Sequence, residues 1–246
     1  MKKALTIFAL VFAAAGAWAN EGGPKLDHAP INVEDKLSLQ RGARTFVNYC
    51  LSCHSASYMR YSRLQDLGLT EKQIVDNLMF AAEKPVETMS VALRPKDAKA
   101  WFGATPPDLT VISRSRDPDW LYTYLRSFYR DTSRPTGWNN LVFPNVGMPH
   151  VLWDLQGERV AHFKTEKDHD GKEQEVFERF EQVKAGKLSP VEYDAMVRDL
   201  VAYLTYMGEP AQVTRKITGI GVLFFLAVLL LPLAYYLKKE FWKDIH

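Results

Sequence analysis

The chain has two cysteines, and they stand three residues apart with a histidine directly behind the second: Cys50-Leu51-Ser52-Cys53-His54. This is the pattern by which a polypeptide fastens a c-type haem. On a tight helical turn, thiols at this spacing reach the two vinyl groups on one porphyrin edge and form thioethers. The next residue then projects its imidazole beneath the iron, which makes His54 an axial ligand. Two other chemistries use paired cysteines. A thiol–disulfide redox motif follows a strand and opens a helix, whereas this one closes a helical pattern. A zinc site needs a second Cys or His pair at matching spacing, and the sequence offers none.

The two ends of the chain address a membrane. Residues 1–19 read as a secretory signal: Lys2 and Lys3, the apolar run Ala4–Ala15, then Ala17-Trp18-Ala19 as the cleavage pattern. Ile217–Leu237 is 21 residues without a charge, long enough as a helix to cross one hydrocarbon core. Arg215 and Lys216 precede it, Lys238, Lys239 and Lys243 follow it, and Tyr235, Tyr236 and Trp242 stand where an aromatic belt lies. The expected division is signal peptide 1–19, exported body 20–214, and anchor with a short cytoplasmic tail 215–246. The haem domain then sits in the periplasm, on a single pass through the inner (cytoplasmic) membrane.

The formal charge of +2 over the whole chain sums segments with different destinations. Residues 20–214 hold 24 lysines and arginines against 27 aspartates and glutamates, a formal charge of −3. That balance argues against nucleic acid and for a basic partner.

Within the body, Leu39, Ala43, Phe46, Val47 and Cys50 repeat at helical spacing, which predicts a helix over 39–50. Gly42 in its middle predicts close packing there. Further helices are expected over 71–82 and 118–129, with loops over 84–110 and 133–149. The charged stretch 158–185 reads as an exposed β-hairpin turning at Asp170-Gly171. Ser189-Pro190-Val191-Glu192 is a capping box that opens a last helix, ended by Gly208.

Haem iron in an electron carrier usually has both axial positions filled by protein. Met196 and Met207 fall on the apolar face of the last helix, Met59 is too near His54 to cross the ring, and Met79 lies in a helical pattern. Met148, in Asn145-Val146-Gly147-Met148-Pro149, stands in a loop where Gly permits close backbone approach and Pro fixes the exit. Met89 and His150 remain alternatives on the residues alone.

With Cys50–His54, Pro106-Pro107-Asp108-Leu109, the Met148 loop and a C-terminal anchor in that order, the chain resembles cytochrome c1, the haem subunit of the cytochrome bc1 complex. The match covers most of residues 37–240. The resemblance implies that Met148 is the sixth ligand, that the segment containing Pro107 lines the haem on the His54 side, and that a backbone carbonyl there accepts the His54 Nδ1 proton. It implies also that an arginine in Ser113-Arg114-Ser115-Arg116 pairs with a haem propionate; Arg116 matches that position best, and Arg114 remains the alternative. Trp101 and Phe102 stand where the mitochondrial pattern has asparagines, and Trp120 where it has a tyrosine.

The expected fold is an all-α cytochrome c domain with a small β-hairpin insertion and one C-terminal membrane helix. Its helices at 39–50 and 189–207 should cross, bringing Gly42 and Phe46 to Leu200, Tyr203 or Leu204. The expected cofactor is one haem c, covalent through Cys50 and Cys53. The resemblance implies a one-electron carrier, not catalytic alone, within a dimeric quinol–cytochrome c oxidoreductase that also contains cytochrome b. The Rieske iron–sulfur protein would be the donor and a cytochrome c the acceptor. The alternative is an anchored haem subunit of a terminal oxidase or another electron-transfer complex.

Overall fold

Asp35 starts the first helix: its carboxylate accepts from the amides of Leu37 and Ser38, two of the donors that a helix start leaves open. In the computed structural model, which describes residues 25–167 and 173–244, this helix, α1, runs Lys36–Thr45. It widens into a π-helical turn over Phe46–Cys50, so the helix delivers the cysteine motif at its end. The expected signal peptide and the Asp170-Gly171 turn lie outside the described residues.

Strand β1 (Ala56–Arg60) follows and leads through a 3₁₀ turn, Tyr61–Leu67, to α2 (Glu71–Leu78). Thr70 and Gln73 close a capping box at the start of α2. The short strand β2 (Thr88–Met89) pairs back with β1. Helix α3 (Pro95–Phe102) lies inside the stretch expected to be loop. Pro95 sits at its first position, where the missing N–H costs nothing, and Gly103 ends it in a left-handed conformation (φ 76°). Then come α4 (Ile112–Ser115) and α5 (Pro118–Arg126). Helix α5 ends earlier than its apolar pattern because β3 (Phe128–Arg130) turns away to pair with β4 (Trp138–Asn140).

After the short α6 (Trp153–Gln156), the charged insertion forms the expected antiparallel hairpin, β5 (Gly157–Lys167) with β6 (Glu173–Ala185). The hairpin is rooted in the body. Arg159 donates from Nε to the Phe128 carbonyl at 2.9 Å, donates to the Arg126 carbonyl, and lies 3.8 Å from the Phe180 ring centroid. Burial pushes its guanidinium down to about 10. The fold is therefore mostly α, but three two-stranded ribbons among the described residues correct the expectation of a single β element. Two of them are too short to leave a period in the sequence.

The last body helix, α7 (Pro190–Gly208), opens with Ser189 and Glu192 bonded reciprocally. It packs across α1, and this crossing is the centre of the core. A Cβ on Gly42 would overlap the Asp199 carbonyl oxygen and crowd Tyr203 Cβ, and the rings of Phe46 and Tyr203 are 5.6 Å apart. Inside the crossing the Asp199 carboxylate accepts from Ser38 Oγ (2.6 Å), Arg41 Nε (2.5 Å) and Arg198 Nη2 (2.9 Å). Burial raises its pKa, but these donors hold it net below the usual carboxylate range.

Gln212–Phe241 forms a 30-residue apolar helix with none of its most apolar stretch buried by the rest of the chain. It comprises α8 (Gln212–Phe225), a π-helical turn (Leu226–Leu230) and α9 (Leu231–Phe241). The π-turn falls just before Pro232, whose missing N–H breaks the regular ladder. At the foot of this helix Glu209 accepts from Arg215, and from Arg114 Nη1 at 3.0 Å. Ser113 Oγ donates to the Leu204 carbonyl at 3.1 Å and leaves no room for a side chain at Gly208.

Candidate functional site

The cysteine motif is a tight turn at the end of the π-helical segment. The amides of Cys53 and His54 both donate to the Cys50 carbonyl, at 3.0 and 2.8 Å. Both thiols are free. Burial, with Cys53 beside it, pushes the bare Cys50 thiol up to about 12, away from the depressed range of an activated redox thiol.

His54 Nδ1 lies 2.7 Å from the Pro107 carbonyl oxygen. A carbonyl can only accept, so Nδ1 carries the proton and the Nε2 lone pair is left for a metal. Burial pulls His54 below its ordinary pKa, against the Pro107 bond and the nearby Asp108, and the ring stays neutral near pH 7. The Pro107 segment is stapled in place by Asp108, whose carboxylate accepts from Ser57 N (2.8 Å), Thr110 N (2.8 Å) and Thr110 Oγ1 (2.5 Å). Leu109 N donates to the Ser55 carbonyl at 2.9 Å. A cavity of about 210 Å³ opens beside the turn, lined by Cys53, Ser55, Val91, Leu93, Pro106 and Asp108 among others.

Met148 belongs to a second half of the site, built on β4. Two adjacent asparagines organise its loop. Asn139 Oδ1 accepts from the Asn145 amide at 2.8 Å, which holds Asn145 at φ 63°, the one positive φ of a non-glycine residue among those described. Asn140 is fully buried. Its Oδ1 accepts from the amides of Val142 and Phe143 and from Ser127 Oγ, and its Nδ2 donates to the Tyr124 carbonyl at 2.8 Å. Met148 is half-buried against the core, and its Sδ accepts a hydrogen bond from Tyr124 Oη at 3.3 Å. Tyr124 stacks on Trp120 (centroids 4.8 Å, planes 11° apart), and the Arg116 guanidinium lies 5.0 Å from the centre of the Trp120 ring. Arg114 is instead paired with Glu209.

The structure thus joins His54 to Pro107 and, through α5, Met148 to Arg116. The two halves approach each other where the Phe102 carbonyl lies 3.4 Å from the position of a Cβ on Gly147. Of the alternative ligands, His150 is packed into the core. It stacks on Phe128 at 4.7 Å, meets Trp138 edge-on, and pairs Nε2 with Gln156 Oε1 at 2.7 Å. Met89 pairs in register with Ala56, two residues from His54, and so lies on the motif's own side. Its Sδ accepts from Tyr203 Oη at 3.7 Å. Sequence reasoning missed Tyr124, Asn139 and Asn140. The one available signal was a pair of asparagines set among apolar residues. The donor set fits a covalently held haem: two free thiols on one turn, an imidazole with Nδ1 satisfied and Nε2 free, and a thioether on an ordered loop.

The chain matches the Cytochrome C1 family over residues 27–245. It is 49% identical to the cytochrome c1 of Allochromatium vinosum, with 100% of both chains covered. It is 50% identical to a Nitrosomonas europaea protein named ammonia monooxygenase gamma subunit, over 90% of this chain and 89% of that one. It is 28% identical to the cytochrome c1 of Rhodospirillum rubrum, over 100% of this chain and 98% of the relative. With the haem-attachment turn, a thioether loop and a membrane helix in one chain, these matches make the protein a member of the cytochrome c1 family, the membrane-anchored, covalently haem-bearing subunit of the cytochrome bc1 complex in electron transfer.

Proposed function

We propose that Cys50 and Cys53 hold one haem c, that His54 and Met148 supply its axial ligands, and that electrons enter from the Rieske iron–sulfur protein and leave to a cytochrome c on the periplasmic side. The observation that carries the ligand assignment is the 2.7 Å contact of His54 Nδ1 with the Pro107 carbonyl, which fixes the tautomer and aims Nε2 away from the protein backbone. When bound, the haem supplies a one-electron couple. The chain's own residues hold and insulate it. Asp108 keeps the Pro107 carbonyl in position beneath the imidazole. Asn139 and Asn140 keep the Met148 loop in one conformation. Arg116, stacked on Trp120, would supply a positive charge to a haem propionate. With His54 and Met148 both engaged to the iron, substrates and O2 would have no place to bind.

The proposed domain plan is a cleaved signal at 1–19, a periplasmic body at 20–214 and an anchor at 215–246. The formal charge of −3 over 20–214 becomes more negative by two ionised propionates and steers a basic acceptor at low salt. Purification through this chain followed by redox-resolved visible spectroscopy tests the proposal. A c-type band in the pyridine haemochrome spectrum is expected, with a b-type cytochrome and a Rieske protein in the same fraction. A chain whose mass equals that of its amino acids alone, with Cys50 and Cys53 titrating as thiols, refutes it.

A further inference from the structure

The Tyr124 hydroxyl donates to Met148 Sδ at 3.3 Å, and nothing in the cysteine–histidine half of the site requires that bond. A thioether sulfur carries two lone pairs. A hydroxyl that occupies one leaves the other aimed elsewhere, so the bond orients the sulfur as well as anchoring it. The donor is itself immobilised. Its ring lies between Trp120 (4.8 Å, 11°) and Phe128 (5.0 Å, 68°). Its carbonyl accepts from Asn140 Nδ2 and from the Ser127 amide. Asn140 also fixes the amides of Val142 and Phe143 at the root of the Met148 loop, so donor and acceptor hang on one buried side chain.

We propose that Tyr124 is a positioning residue for Met148, and that its hydrogen bond on the sulfur raises the reduction potential of the haem that Met148 ligates. This rests on the assignment of Met148 as ligand. A hydrogen bond donated to sulfur draws electron density from it and weakens its donation to the oxidised iron. The hydroxyl dipole also points its positive end at the sulfur, which would oppose the extra charge of an oxidised iron bound there. Both effects favour the reduced form.

The molecule contains its own control. Tyr203 makes the same kind of bond to a different methionine, Met89, at 3.7 Å. The experiment is a redox titration of the full chain in its assembled complex, unmodified and as Tyr124→Phe and Tyr203→Phe. Phenylalanine keeps the ring and its stacking and removes only the hydroxyl. The far-red charge-transfer band of methionine-ligated ferric haem is recorded in each sample. Tyr124→Phe is expected to retain the band and to shift the one-electron equilibrium toward the oxidised form by about threefold to tenfold, a fall of ~28–59 mV at 59 mV per decade. Tyr203→Phe is expected to leave the potential unmoved. A potential unmoved or raised by Tyr124→Phe, with the band retained in all three samples, overturns the inference. Absence of the band from the unmodified chain, or a shift produced by Tyr203→Phe alone, overturns the Met148 assignment instead.

Discussion

Gly42 of α1 lies directly beneath the Asp199 carbonyl of α7, so close that even a methyl group at position 42 would overlap it. The contact sets the distance between the two helices that close the core, and the cysteine turn leaves the end of one of them. Gly42→Ala must push the helices apart. Overpacking against backbone of this kind costs ~3 kcal/mol, and we expect a lower melting temperature of the holoprotein by calorimetry with an unaltered haem spectrum at low temperature.

Asp199 gives the crossing its pH dependence. Its folded-state pKa is depressed, so the stability it confers is present above the ordinary carboxylate pKa of about 4 and is lost as pH falls through its lower folded value. Asp199→Asn is expected to destabilise the protein at pH 7 by ~2–3 kcal/mol, because Arg41 and Arg198 lose their shared anion and Ser38 its acceptor. The variant should lose less further stability on acidification below pH 4 than the unmodified protein. Parallel acid melts of the two chains would contradict this account.

Asn140 is the organiser of the Met148 loop. Asn140→Ala takes the acceptor from the amides of Val142 and Phe143 and removes one hydrogen bond each from the Ser127 hydroxyl and the Tyr124 carbonyl. The expected cost is ~3 kcal/mol. We expect ligand exchange at the iron, followed by optical spectroscopy during heating, to set in well below global unfolding.

Met148→Leu keeps the volume and removes the sulfur. In an assembled complex we expect a sharply lowered potential and binding of carbon monoxide to the reduced protein, read from a difference spectrum. An unchanged potential with no carbon monoxide adduct places the sixth ligand on another residue.

How much of this was legible in the sequence depends on the range over which each feature acts. The haem-attachment turn, the 189–192 capping box and the apolar anchor are local patterns, and each stands where the sequence put it. Gly42 was readable because a glycine inside a strong helical period has few reasons to be there. Helix α3 was not, since Pro95, Pro106 and Pro107 read as breakers and only the fold shows Pro95 at a helix start. Strands β3 and β4 are three residues each, below the length at which alternation can register. Tyr124 was hidden for a different reason. It sits on an aromatic-rich helix where any ring passes for core, and its hydroxyl meets Met148 across 24 positions of chain. The pairing of Arg114 with Glu209 was equally out of reach of the sequence, because the two lie 95 residues apart.

Glu209 joins the last body helix, the Arg114 turn and the first turn of the membrane helix in one cluster of charge. With Ser113 filling the space beside Gly208, the junction between body and membrane helix is braced by side chains from three separate segments of the chain. A substitution at Glu209 would therefore loosen the tether without touching the core or the cysteine turn.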